Sequence, residues 1–101
     1  MAEVTITKEN FEALVLQSEK PVLLDFWAVW CGPCQMLAPT IEEISRQRED
    51  ILVGKVNVDD QYDLAVRFVI ESIPTVLAFK DGQVTGRSIG FVSKEQILAL
   101  L

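Results

Sequence analysis

Two cysteines stand three positions apart in the segment Trp30-Cys31-Gly32-Pro33-Cys34, and the chain contains no others. Thiols at this spacing can close a small disulfide ring. If the second lies in the opening turn of a helix, backbone N–H groups face the first sulfur and favour a thiolate at Cys31. The segment follows the apolar run Val22-Leu23-Leu24-Asp25-Phe26-Trp27-Ala28, so the pair falls where a buried strand would hand over to a helix. Asp25 is the second residue with chemistry in it. A charged carboxylate inside such a run is costly to bury, so its pKa should rise, and a carboxyl poised toward neutrality can exchange a proton with a thiol. A static disulfide, half of a zinc or iron–sulfur site shared by two chains, and small core residues remain open as uses of the cysteines.

Composition narrows the classes. The chain has no histidine, which removes His-dependent acid–base catalysis and every Cys/His zinc arrangement, and two thiolates alone make half a zinc site. No metal is therefore expected. The formal charge is -6 and the nine basic residues are scattered, which argues against nucleic acid, because phosphate binding needs clustered Lys and Arg. The loop closed by Cys31 and Cys34 is too short to restrain much unfolded-chain entropy, so the pair reads as chemical and suits a reducing compartment. The start, Met1-Ala2-Glu3-Val4-Thr5, lacks the basic and apolar regions of a secretory signal, and no stretch approaches the roughly 20 apolar residues of a membrane span. A cytoplasmic protein, or a processed organellar form, with no membrane attachment is expected. The 101 residues fit one domain, 1–101.

The elements that must position the cysteines can be read from periodicity. Val4 and Ile6 alternate in a short first strand, and Thr7 can cap a helix burying Phe11, Leu14 and Val15. The run at 22–28 has the pattern of a central parallel strand covered on both faces. From Cys34 to about Arg48, the residues Leu37, Ile41 and Ile44 repeat at helical spacing, Glu42 and Arg46 form an exposed i,i+4 pair, and Pro39 should kink the helix. Residues 51–58 read as a strand parallel to the first long one, reached by a right-handed crossover. Asp59 or Asp60 can cap a third helix carrying Leu64, Ala65 and Phe68. Residues 73–79 and 84–89 form a hairpin through Asp81-Gly82. Ser93 and Gln96 have capping-box spacing before a last helix, where Ile97, Leu98 and Leu101 can face the sheet. The order is strand-helix-strand-helix-strand-helix-strand-strand-helix.

That order together with the cysteine motif resembles the thioredoxin family, from about Val4 to the C-terminus. The resemblance is carried by Asp25-Phe26-Trp27-Ala28, Trp30-Cys31-Gly32-Pro33-Cys34, Pro39, Lys55, Asp59, Ile73-Pro74-Thr75, Gly82 and Gly90. It implies an α/β thioredoxin fold, a central mixed five-stranded sheet flanked by four helices. It further implies that Cys31 is the exposed nucleophile attacking a substrate disulfide and Cys34 the resolving thiol. The same division follows from exchange chemistry, since the attacking thiolate needs access and the second thiol need only reach the first sulfur. Gly32 and Pro33 set that reach, and Pro33 suits an early helix position. By resemblance, Asp25 lies beneath the cysteines and helps Cys34 lose its proton, with Lys55 as charge partner. The Ile73–Pro74 bond would be cis, leaving the Ile73 backbone beside Cys31, and Trp30, Ile73, Pro74, Gly90 and Phe91 would form an apolar docking surface around the sulfur. Trp27 would be supporting core.

The implied activity is protein-disulfide reduction by a monomer. Its partners are disulfide-containing proteins and a thioredoxin reductase, an NADPH-dependent flavoprotein supplying electrons, with no cofactor bound to this chain. A redox-independent binding module using the apolar rim is the competing reading, and a metal-bridged dimer a third. Gln35, Tyr62, Val69 and Phe91 depart from the family pattern, where lysine, proline, glycine and alanine are common, and the last helix is brief. These departures bear on substrate preference.

Overall fold

The computed structural model describes residues 3–101. Met1 and Ala2, where the reading of a leader-free start begins, lie outside the described residues. Strands β1 (Glu3–Thr5), β2 (Val22–Trp27), β3 (Leu52–Asn57), β4 (Thr75–Lys80) and β5 (Gln83–Ile89) form one sheet in the order β1-β3-β2-β4-β5. Strand β3 runs parallel to both β1 and β2, while β4 is antiparallel to β2 and to β5. The mixed sheet is thus as expected. The central β2 is parallel on one side only.

Three α-helices, α1 (Gly32–Gln47), α2 (Tyr62–Arg67) and α3 (Lys94–Leu98), and one π-helical turn (Glu12–Leu16) complete the fold. Because side chains alternate along a strand, the sheet sorts its residues between two cores. Val22, Leu24, Phe26, Leu77 and Phe79 pack with Phe11 and Val15 of the π-helical region and Leu64 of α2. Leu23, Val53, Val76 and Ala78 pack instead with Leu37, Ile41 and Ile44 of α1 and Ile97 of α3. Asp25 is two residues along β2 from Leu23 and registers against Lys55 of β3, so both belong to the face that α1 covers. In the β4–β5 turn, Asp81 and Gly82 both have positive φ, 52° and 80°. This is the backbone a two-residue hairpin needs, and the Asp-Gly pair supplies it.

Several local expectations are corrected. Thr7 caps only a preceding turn, its Oγ1 accepting from the Asn10 N–H at 3.3 Å. The π-helical turn has no side-chain cap, and Leu14 is exposed rather than buried, because the wider π turn rotates it off the inward face. Helix α1 begins at Gly32, since Cys31 itself is the N-cap. Pro39 lies inside this helix, as expected, where the Gln35 carbonyl loses its i+4 donor. Glu42 and Arg46 do not pair; the ion pairs on and beside this helix are formed by other residues, Arg48–Asp50 at 2.8 Å and Lys94–Glu43 at 3.2 Å. Neither Asp59 nor Asp60 caps α2, whose N-cap is Gln61 without a side-chain bond. The Ser93–Gln96 capping box forms, but Leu101 is exposed and Leu100 packs against the core in its place. Val69, where the family pattern favours glycine, sits at φ 55°, a left-handed conformation that is strained for a β-branched residue.

Candidate active site

The end of β2 and the start of α1 deliver the two sulfurs. Ala28 and both cysteines form a small buried cluster with Trp27, Val58 and Ile73 packed against it. Cys31 is extended at the N-cap (φ −91°, ψ 110°), and its Sγ accepts the backbone N–H of Cys34 at 3.2 Å. Gly32 and Pro33 fill the first helical positions, where a missing N–H leaves no intrahelical bond unmade. The Cys31 and Cys34 sulfurs are joined in a disulfide, with Cα atoms 5.2 Å apart. The helix-end amide and the N-terminal end of α1 thus face the Cys31 sulfur. The expected exposure of Cys31 is corrected: Cys31 and Cys34 are each 4% accessible, in a buried cluster with Ala28 against which Trp27, Val58 and Ile73 pack.

Pro74 enters from the loop before β4 with a cis bond to Ile73. The Ile73 carbonyl oxygen lies 3.7 Å from Cys31 Sγ, within reach of an S–H there, and the Pro74 carbonyl accepts the Gly90 N–H at 2.8 Å. Gly90 has φ 89°, so this tie to the proline loop uses a backbone that side chains resist. Around these groups Trp30 (70%), Phe91 (52%) and Ile89 (58%) are exposed apolar surface. The Trp30 indole N–H donates to Asp59 Oδ2 at 2.8 Å, tying the ring to the loop after β3. That bond is the use of Asp59 that its reading as a helix cap missed. Gln35, in place of a cation, donates its side-chain amide to the Val29 carbonyl at 2.7 Å and so fastens the loop before the cysteines.

Asp25 is 2% accessible and its Oδ1 has no hydrogen-bond partner. Its pKa is pushed up to about 7, chiefly by burial; Lys55 opposes the shift and Glu3 adds to it. Lys55 forms no ion pair with Asp25 among the described residues; its Nζ lies 4.8 Å over the Trp27 ring, a favourable cation–π placement. Glu3, overlooked in the sequence, has Oε2 buried without a partner. The signal was available, since alternation in β1 puts Glu3 and Thr5 on the face opposite Val4 and Ile6, the face of Asp25. No group of three or more His, Cys, Asp or Glu able to hold a metal ion occurs among the described residues, and no helix there is long and apolar enough to cross a membrane.

The family model described as Thioredoxin matches residues 2–101. A thioredoxin of Mycobacterium tuberculosis is 47% identical over 98 residues, covering 96% of this chain and 84% of that protein. One from Alicyclobacillus acidocaldarius is 46% identical over 101 residues, covering 99% and 95%. A protein of Mycobacterium leprae called bifunctional thioredoxin reductase/thioredoxin is 47% identical over 96 residues, covering 94% of this chain and 21% of its own length.

Proposed function

Since the chain belongs to the thioredoxin family, we propose a directional exchange in which Cys31 attacks, Cys34 resolves and Asp25 carries the proton. The chain is a thiol–disulfide oxidoreductase acting on protein disulfides, with Cys31 and Cys34 as its redox couple. The Cys31 thiolate attacks one sulfur of the substrate disulfide; the new S–S bond holds the two proteins together and the second substrate sulfur leaves as a thiolate. Cys34 gives its proton to the Asp25 carboxylate and attacks Cys31 Sγ. The mixed disulfide breaks, the Cys31–Cys34 disulfide forms, and two electrons have passed to the substrate.

The observation that carries this assignment is the Cys34 N–H on Cys31 Sγ at 3.2 Å. Only Cys31 receives the helix-end amide that lowers a thiol's pKa. Asp25, held near pKa 7, is matched to accepting a proton at neutral pH. Lys55 adjusts Asp25 through its charge. Trp30, Gly32, Pro33, Ile73, Pro74, Gly90 and Phe91 make the docking surface, and the Ile73 backbone beside Cys31 pairs with an extended substrate segment. The chain works as a single domain and a monomer in a reducing compartment, in the cytoplasm or as a processed organellar form. Its disulfide is re-reduced by a thioredoxin reductase of the NADPH-dependent flavoprotein type, a reading supported by the reductase joined to thioredoxin in the M. leprae protein's name.

An insulin-precipitation assay with dithiothreitol tests the direction. Wild type should accelerate precipitation, Cys31→Ser should fall to the dithiothreitol rate, and Cys34→Ser should accumulate a mixed disulfide. Equal activity of wild type and Cys31→Ser would sink the assignment.

A further inference from the structure

Beside the dithiol runs a groove of about 240 Å³ whose apolar lining includes Ile70 and Ile73, with the rings of Trp30 and Tyr62 along it. The only charged side chains that line it are Asp59 and Glu71, both carboxylates. Ile73 belongs at once to this groove and to the neighbourhood of the sulfur, its carbonyl being 3.7 Å from Cys31 Sγ. A chain segment disulfide-bonded to Cys31 therefore has the groove within a few residues' reach.

Neither carboxylate there forms an ion pair among the described residues. Asp59 uses Oδ2 for the Trp30 indole, and that N–H is uncharged. Glu71 forms no ion pair among the described residues. Arg87 shares a hollow on the other side of Glu71 but forms no ion pair with it; its guanidinium keeps its charge and donates to the Phe68 carbonyl at 2.8 Å. Lys8 lies in a further hollow beyond Tyr62 and is engaged with Asp63 at 3.9 Å. An apolar lining with aromatic walls and a negative rim matches one kind of side chain: a long aliphatic stem ending in a cation.

We propose that this groove receives a Lys or Arg side chain located one to three residues from the reactive cysteine of a protein-disulfide substrate, with Glu71 as the specificity-determining residue. The proposal rests on Cys31 being the attacking sulfur. The stem lies against Ile70 and Ile73, and the charge is held between Asp59 and Glu71 beside the Trp30 and Tyr62 rings. Substrates with an acidic residue at that position are disfavoured by the same carboxylates.

The test uses synthetic peptides, each with its single cysteine in a mixed disulfide with 2-mercaptoethanol and with Lys, Gln or Glu placed one, two or three residues to either side. Single-turnover reduction rates are compared within each protein. In wild type, Lys should outrun Gln about three- to fivefold at one position or more at low ionic strength, and Glu should trail Gln. About 0.5 M salt should flatten the series. Glu71→Gln should shrink the Lys:Gln ratio and Glu71→Lys should bring it below one. A ratio of one at every position, or a ratio unmoved by Glu71→Lys, overturns the proposal while leaving Cys31 as nucleophile. If wild type reduces the Gln peptides no faster than Cys31→Ser does, the reading of Cys31 fails and this proposal falls with it.

Discussion

The sheet's two faces are filled by different chemistry. Under the π-helical turn and α2, the phenylalanines Phe11, Phe26, Phe68 and Phe79 meet in tilted and edge-on pairs with centroids 5.5–6.3 Å apart. Asp25, the one charged side chain buried among the described residues, is not on that face. Under α1 and α3 the packing is aliphatic, and that face also holds Asp25, Lys55 and Glu3. The dithiol rises from the same side, since α1 carries Cys34 into the buried cluster. One face stabilises the fold at little chemical cost, and the other accepts an unfavourable buried carboxyl beside the reacting sulfurs.

That division can be broken from either side. Phe79→Ala removes a ring that touches both Phe11 and Phe68 and should cost about 3–5 kcal/mol in a denaturant titration. The reduction rate per folded molecule should stay at the wild-type value. A matching loss of rate would mean that the aromatic face also governs the chemistry.

Asp25→Asn should act in the opposite direction. The folded pKa of Asp25 is about 7 against an ordinary 3.8, so between those values the native state holds a proton that the unfolded state has released. Stability contributed at this site is therefore lost as pH rises from about 4 to 7 and stays lost above it. The variant escapes that loss, and its stability advantage over wild type should grow by about 4 kcal/mol between pH 4 and pH 8. In stopped-flow exchange, it should slow release of the mixed disulfide more than the initial attack. A constant stability difference across that range would show that the carboxyl is solvated.

Glu3→Gln is the finest cut. Removing a charge that raises the Asp25 pKa should move the pH profile of mixed-disulfide release to lower pH, with little change in the plateau rate. An unmoved profile would confine the tuning of Asp25 to burial and Lys55.

Most of this arrangement is legible in the amino-acid sequence. The apolar run at 22–28 has the pattern of a covered strand, Asp25 stands out within it, and Asp81-Gly82 announces the hairpin because the turn demands positive φ. What escapes such a reading depends on contacts distant in sequence. Asp59 bonds Trp30 across 29 residues, and the burial of Glu3 arises only once β1 pairs with β3. The departure at Val69 is visible in the sequence, but its meaning is not: its left-handed backbone follows from the path between α2 and Pro74 rather than from local preference. The exposure expected of Cys31 fails for a related reason, because Ile73, more than forty residues away, packs against its cluster.

Following the Asp25 carboxyl carbon by NMR across pH in the oxidised protein tests the division of the two faces most directly. A titration midpoint near 7, lowered in Glu3→Gln, is the predicted result. A midpoint near the ordinary 3.8 would contradict it, leaving the Asp25 carboxylate too weak a base to take the Cys34 proton at neutral pH.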